Sequence, residues 1–214
     1  MRTKVFGIGL NKTGTTTLGV CLQQLGYRHS SFSLPLLERV AQGDLDSVLG
    51  HCQRFDSFED WPYPLIYRQL DEAFPNSRFI LTRRHSAQRW YTSLADHAMR
   101  TSVRMGCRSR ILAYGVAYPQ LDRDGLLQRY SEHLQAVRQH FAGRDHQLLE
   151  LCWDDERDWG RLCSFLRAQR PTGPLPHANA GAGQRALLKR LQNGLWCKVL
   201  QLGSGLKADP GVGR

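Results

Sequence analysis

Apolar and polar positions along the chain follow two rhythms. Short runs of consecutive apolar residues, "KVFGIGL" near the start, "SRFILTR" around residue 80 and "HQLLELCW" around residue 150, read as buried strands. Between them, apolar residues recur every three or four positions. "TTTLGVCLQQLGY" puts Leu18, Cys21, Leu22 and Leu25 on one helical face, with Gly26 near its C-terminus. Residues 34–51 hold two short helical patterns, the second with Asp44 as N-cap, and read as an insertion before the next strand. "RFDSFED" reads as a short strand or loop, 64–74 as a helix, and 86–99 as a helix with Leu94 and Ala98 on one face.

Further along, residues 101–122 are weakly periodic and read as a long segment suited to a lid or substrate loop. Helices follow through "GLLQRYSEHLQAVRQHF" and "DERDWGRLCSFLRAQ", then the Pro- and Gly-rich "RPTGPLPHANAGAG". A last helix, "QRALLKRLQNGLWCKVLQL", carries Leu187, Leu188, Leu191, Leu195, Trp196, Val199 and Leu202 near one face. Strands alternating with helices of this length predict an α/β three-layer sandwich with a mostly parallel central sheet. Without internal repeat or linker, a single domain over residues 1–203 and a flexible tail over 204–214 are expected.

Composition changes this picture in one respect. Among 214 residues, Lys and Arg outnumber Asp and Glu by 29 to 19, a formal charge of +10 that favours anionic partners. The basic residues are dispersed and form no recognisable nucleic-acid module, so a small anionic ligand is expected rather than a nucleic-acid polymer. The six cysteines show neither C-x-x-C pairs nor zinc-ligand spacing. With no secretory signal or membrane-spanning run, reduced thiols and a cytoplasmic location are expected.

The candidate chemistry lies in "VFGIGLNKTGTTTLG". A glycine-containing loop joining a buried strand to a helix points backbone N–H groups and the helix N-terminus into one cavity, a ready phosphate site. Here the lysine, Lys12, precedes Gly14 by two, whereas in the ATP-type pattern it follows the last glycine. No clean apolar strand ends in an Asp for magnesium, since Glu150 interrupts "LLELCWDD". The loop suits a nucleotide whose chemistry does not depend on a metal.

These residues resemble those of the PAPS-dependent sulfotransferases, which use 3′-phosphoadenosine 5′-phosphosulfate as sulfuryl donor, and in particular the bacterial branch. Its 5′-phosphosulfate loop, K-[ST]-G-T-[ST]-[ST], is matched by Lys12 to Thr17. A second element, a strand ending in Arg followed by a helix bearing Ser, is matched in "FILTRRHSAQRWYTSL" by Arg84 and Ser93, or by Arg83 and Thr92 in the neighbouring register. "FDSFEDWP" and "LPHAN" add to the likeness, which covers roughly residues 4 to 180. The general-base His of the well-known cytosolic members and their C-terminal R-K-G element find no counterpart.

The resemblance implies PAPS as co-substrate, PAP as product and no metal. Lys12 would be catalytic, and Thr13, Gly14, Thr15, Thr16 and Thr17 would hold the 5′-phosphate. Arg84 and Ser93 would grip the 3′-phosphate. An acceptor hydroxyl must lose its proton, and Asp56 and Asp60 are the leading base candidates, with His97 weaker. For Asp60 a helix-capping role is an equal alternative. His177 and Asn179 either close over the nucleotide or merely end a loop. Trp90 and Tyr91 either stack on adenine or fill a helix–sheet contact.

Three functions remain open: a sulfotransferase acting on a hydroxyl or amine of a small-molecule or glycan acceptor, a nucleotide-dependent kinase, and an inactive nucleotide-binding protein. The last helix, with Lys189, Arg190 and Lys198 beside its Leu/Trp face, is compatible with an anionic membrane. Packing on the domain is the commoner explanation for such a stripe.

Overall fold

The computed structural model describes residues 2–156, 158–176 and 185–205, with the side chains of 185–188 and 203–205 left aside. Five parallel strands form its centre: β1 (Val5–Gly7), β2 (His29–Ser30), β3 (Ser57–Phe58), β4 (Arg78–Arg83) and β5 (Leu148–Cys152). Their order across the sheet is β2-β3-β1-β4-β5. The register sets Val5 opposite Ser57 and Arg78, and Phe6 opposite Phe58 and Phe79.

Because side chains alternate across a strand, the central strands of the sheet feed two cores. Phe6, Phe58, Phe79 and Leu81 point into one; Val5, Ile80 and Leu151 point into the other. The first core is aromatic: Phe6 stacks on Phe58 at 4.7 Å and on Phe79 at 5.5 Å between centroids. It is covered by α2 (Leu34–Ala41), α3 (Leu45–Gln53), α4 (Tyr67–Ala73), α5 (Ala87–Arg100), α6 (Val103–Tyr114) and α7 (Arg123–His140). The second is covered by α1 (Thr15–Gln24) and α8 (Gly160–Leu166). This is the expected three-layer α/β sandwich.

Side-chain caps set several helix starts. Ser33 accepts from Leu36 N, Asp44 from Ser47 N, Ser86 from Arg89 N and Asp122 from Gly125 N. Asp44 is the N-cap that its sequence position suggests.

Two expectations are corrected. Residues 101–122 are not an open loop: they contain α6 and a short 3₁₀ turn at Pro119–Leu121. α6 buries Arg110, Ala113 and Tyr114 on one side while Met105 and Ile111 stay exposed, which blurs its apolar period. The final helix, α9, spans Arg185–Gly205. Among the described residues, it does not dock through its apolar stripe. Its packed side is Asn193 and Cys197, with Asn193 accepting from Tyr118 Oη at 2.7 Å and donating to the Met99 and Thr101 carbonyls. Leu191, Leu195, Trp196, Val199 and Leu202 face outward, each more than half exposed. Among the described residues, no helix is long and apolar enough to cross a membrane.

Candidate active site

Parallel strands bring every strand-to-helix connection to one edge of the sheet, and the site is assembled there. The β1–α1 loop is anchored from below. Thr13 Oγ1 donates to Leu10 O and shares a hydrogen bond with Thr82 Oγ1, both at 2.6 Å. Trp90 Nε1 donates to Asn11 O at 2.9 Å, and Tyr114 donates to the Asn11 side chain. Arg84 Nε donates to Lys12 O at 2.9 Å.

Two residues hold the left-handed backbone that ordinary side chains rarely adopt: Lys12 at φ 67° and Asp60 at φ 64°. Arg167, at the end of α8, is the other such non-glycine residue among those described. Strain concentrated at two of the chemistry-bearing positions directs attention to a site between them.

Where α1 begins, Gly14 stands at the N-cap with φ 94° and no side-chain cap. A Cβ there would run into the Trp153 ring, so only glycine fits beneath that indole. The first intrahelical bond runs from Leu18 N to Gly14 O, leaving the N–H groups of Thr15, Thr16 and Thr17 for an external acceptor. The hydroxyls divide in two: Thr15 and Thr17 are buried, whereas Thr16 is exposed at the cavity described below. Trp153 Nε1, buried beside Gly14, has no hydrogen-bond partner in the structure. An uncapped helix start, an orphaned N–H and a lysine form a donor set suited to a phosphate or sulfate.

Lys12 Nζ lies 3.3 Å from His97 Nδ1 on α5. Burial lowers the Lys12 amine below its ordinary value, and Arg100 and Arg84 add to this while Asp60 opposes it. Burial and the Lys12 charge push His97 down to about 4. The imidazole is therefore neutral near pH 7, with Nδ1 accepting from the ammonium and the ring proton on Nε2. Asp60 moves the other way, up to about 7, through burial first and the charge of Glu59 second. The Trp61 N–H, at 2.8 Å from its carboxylate, Lys12 and Thr15 act against that rise.

Asp60 and His97 share a cavity of about 380 Å³ with Asn11, Thr16, Trp61 and Arg110. Its size lies within the range of about 300–1,000 Å³ usual for small-molecule sites.

The structure does not bring Asp56 to this site. It precedes β3, at the opposite edge of the sheet, where its carboxylate accepts from Arg28 Nε at 3.0 Å and Nη2 at 3.1 Å. Those bonds hold it below the usual carboxylate range. Arg84 and Arg83 diverge: Arg84 lies against the loop and 3.6 Å from Asp154, whereas Arg83 turns to Glu150. Ser93 is half-buried one turn before His97 on the same face of α5. Thr92 is exposed and its hydroxyl is spent on Gln88 O.

Trp90 is fully buried and stacks on Tyr130, so it belongs to the core. Tyr91 is half-buried, its hydroxyl donating to Pro119 O. His177 and Asn179 lie outside the described residues. His85, Cys152 and Asp154 have ligand atoms within 4.8 Å of one another, but Asp154 already faces Arg84 and Arg89.

A family model described as "Sulfotransferase domain" matches residues 4–183, most of the chain. This protein belongs to the sulfotransferase family. It is also similar to Ava biosynthesis cluster protein M of Aspergillus versicolor, at 24% identity over an alignment 241 positions long that covers 94% of this chain and 90% of that protein. The matched region contains the loop, Lys12 and Asp60, and every residue lining the cavity.

Reading the sequence alone missed Asn11, Glu59 and Arg110. Glu59 is buried behind Asp60, bonded by Ser31 and 3.7 Å from His29. Its carboxylate sets the environment of its neighbour, which no sequence spacing announces. Arg110 went unseen because α6 did, although Ser102 before it and the left-handed Gly115 after it are ordinary start and stop signals.

Proposed function

We propose that this sulfotransferase moves a sulfuryl group from PAPS to a hydroxyl of a small acceptor, with Lys12 and Asp60 as its catalytic residues. The observation that carries the reading is the cavity that Asp60 lines beside the Lys12-bound His97, next to an uncapped helix N-terminus. When bound, the donor supplies a sulfuryl group on an anionic phosphate leaving group, so that one S–O bond breaks as another forms to the acceptor oxygen.

Asp60 takes the acceptor proton. A carboxylate titrating near neutrality is about half ionised there and basic enough to be useful, whereas an ordinary aspartate is a poor base. Lys12 faces the negative charge that grows on the departing phosphate. His97 holds the ammonium in place through Nδ1 and is a positioning residue, not a base. The N–H groups of Thr15 to Thr17 receive the 5′-phosphate, and Arg84 with Ser93 receives the 3′-phosphate.

The kinase alternative loses support from Thr13. In an ATP-type loop the hydroxyl following the lysine ligates magnesium, but here it is turned inward to Leu10 and Thr82. Calorimetric titration with 3′,5′-ADP, AMP and ATP with magnesium tests the donor assignment. Metal-free binding of 3′,5′-ADP at least about tenfold tighter than AMP is expected, since a second anchored phosphate adds charge-assisted hydrogen bonds. Equal affinity for the two, or a preference for ATP with magnesium, overturns it. Turnover with PAPS and an acceptor panel then separates the enzyme from an inactive binder.

A further inference from the structure

Arg110 is a buried charge that the transfer chemistry leaves unused. It is 3% exposed and belongs to the α6 wall of the cavity that Asp60 and His97 also line. Its hydrogen-bond partners are a carbonyl, a hydroxyl and a cysteine sulfur: Nε donates to Ala117 O at 2.5 Å, Nη1 to Thr101 Oγ1 at 3.1 Å, and Nη2 to Cys107 Sγ at 3.5 Å. The Tyr118 ring lies 5.3 Å from the guanidinium carbon. Among the described residues no carboxylate contributes to its electrostatic surroundings, and burial lowers its basicity.

A guanidinium withdrawn from water needs an anionic partner to be well compensated. The arginine side chain carries five N–H donors, so the three bonds above leave one on each Nη. That pair matches the two oxygens of a carboxylate. Gly106 keeps the approach open: a Cβ there would lie 3.0 Å from Arg110 Nη1 and 2.7 Å from Thr101 Oγ1. Phe32, Trp61 and Met105 give the same cavity an apolar wall for the body of a ligand.

We propose that the acceptor is a small hydroxy acid whose carboxylate docks on Arg110 while its hydroxyl lies at Asp60. This rests on the sulfotransfer reading above. It divides the site into two anion-binding ends, the α1 N-terminus for the donor and Arg110 for the acceptor, with the proton-accepting carboxylate between them in function.

The test compares acids with their methyl esters: 4-hydroxyphenylacetate, 3-hydroxybutyrate and 12-hydroxydodecanoate, each titrated calorimetrically into the full chain with and without 3′,5′-ADP. At least one acid should bind about tenfold or more tightly than its ester, the scale of a charge-assisted hydrogen bond. Arg110→Gln should abolish that preference, and Arg110→Lys should restore part of it. Gly106→Ala, which keeps the charge but narrows the approach, should weaken acid binding and spare the ester; it serves if Arg110→Gln does not fold. Equal binding of every acid and its ester, including no measurable binding of either, overturns the proposal. So does an acid preference that survives Arg110→Gln, which would leave Arg110 a structural tie between α6 and Ala117. The nucleotide titration is read separately. Failure to bind 3′,5′-ADP refutes the donor assignment, while the nucleotide-free acid and ester pairs still decide the Arg110 assignment.

Discussion

Asp56 and Asp60 flank the two-residue strand β3, yet they inhabit opposite electrostatic worlds. Asp56 sits ahead of the strand, paired with the exposed Arg28, and is held more acidic than a free aspartate. Asp60 sits beyond it, strained at φ 64°, beside Glu59 and Lys12, and is made far less acidic. The same side chain becomes an ordinary surface anion or a buried carboxyl titrating near neutrality according to which edge of a parallel sheet it occupies. Connections at the C-terminal edge converge on one another, and here the β1–α1 and β3–α4 loops do so. At the other edge Asp56 meets solvent and one arginine.

That contrast is broken most directly by neutralising each carboxylate. Asp60→Asn should lower turnover by about 10²–10⁴-fold, the usual contribution of a positioned base, and Asp56→Asn should leave turnover unchanged. In the parent enzyme kcat/KM should rise with pH through about 7 as Asp60 loses its proton, and Asp60→Asn should erase that limb. Comparable rate losses from both substitutions would end the distinction.

Lys12→Met should depress turnover by on the order of 10²–10³-fold while weakening 3′,5′-ADP binding far less, because charge on the leaving phosphate develops only during transfer. Arginine should rescue poorly, its broad fork ill suited to a place built for a compact ammonium. Parallel loss of affinity and rate would remove Lys12 from the catalytic pair. Next in size, Arg84→Ala with Ser93→Ala should weaken 3′,5′-ADP by about 10–100-fold and leave AMP nearly unaffected, measured by titration.

A smaller effect sharpens the electrostatic side of the comparison. His97 titrates at about 4 in the folded chain against 6.5 when free, so below pH 6.5 the unfolded chain takes up a proton that the folded one refuses. Stability present above pH 6.5 is therefore lost as pH falls toward 4. His97→Gln should flatten that part of the Tm-versus-pH curve; an unchanged slope would place the relevant proton elsewhere. Smallest of all, deleting residues from Ser204 onward should leave Tm and nucleotide binding essentially unchanged, since terminal residues carry little of a fold's stability.

The three long apolar runs and the periodic stretches between them made the layer architecture readable, because a strand buried on both faces leaves a continuous apolar signature. β3 was at best a short strand or loop in the sequence and β2 was not read from it at all; each is two residues long and exists through pairing with its neighbours. α6 was misread as a loop because its charged and apolar residues answer to a cavity and to solvent as well as to the core. The stripe on α9 was a true amphipathic signal, but the helix packs through Asn193 and Cys197, a choice made by the hydrogen-bonding groups of Met99, Thr101 and Tyr118.

By itself, then, the sequence determined the local chemistry: a glycine at the start of α1, a lysine two residues before it, threonines along the first turn, and an arginine at the end of β4. These are neighbours in the chain or sit at strand ends, and short-range backbone geometry suffices to place them. Only the tertiary structure decided which aspartate lies in the field of the lysine, that His97 is kept neutral beside it, and that Arg110 is buried in the cavity of Asp60 and His97 with no carboxylate partner among the described residues. Each of these depends on charges and burial contributed by residues tens of positions apart, and electrostatic environment is a property of the packed interior, absent from the order of residues along the chain.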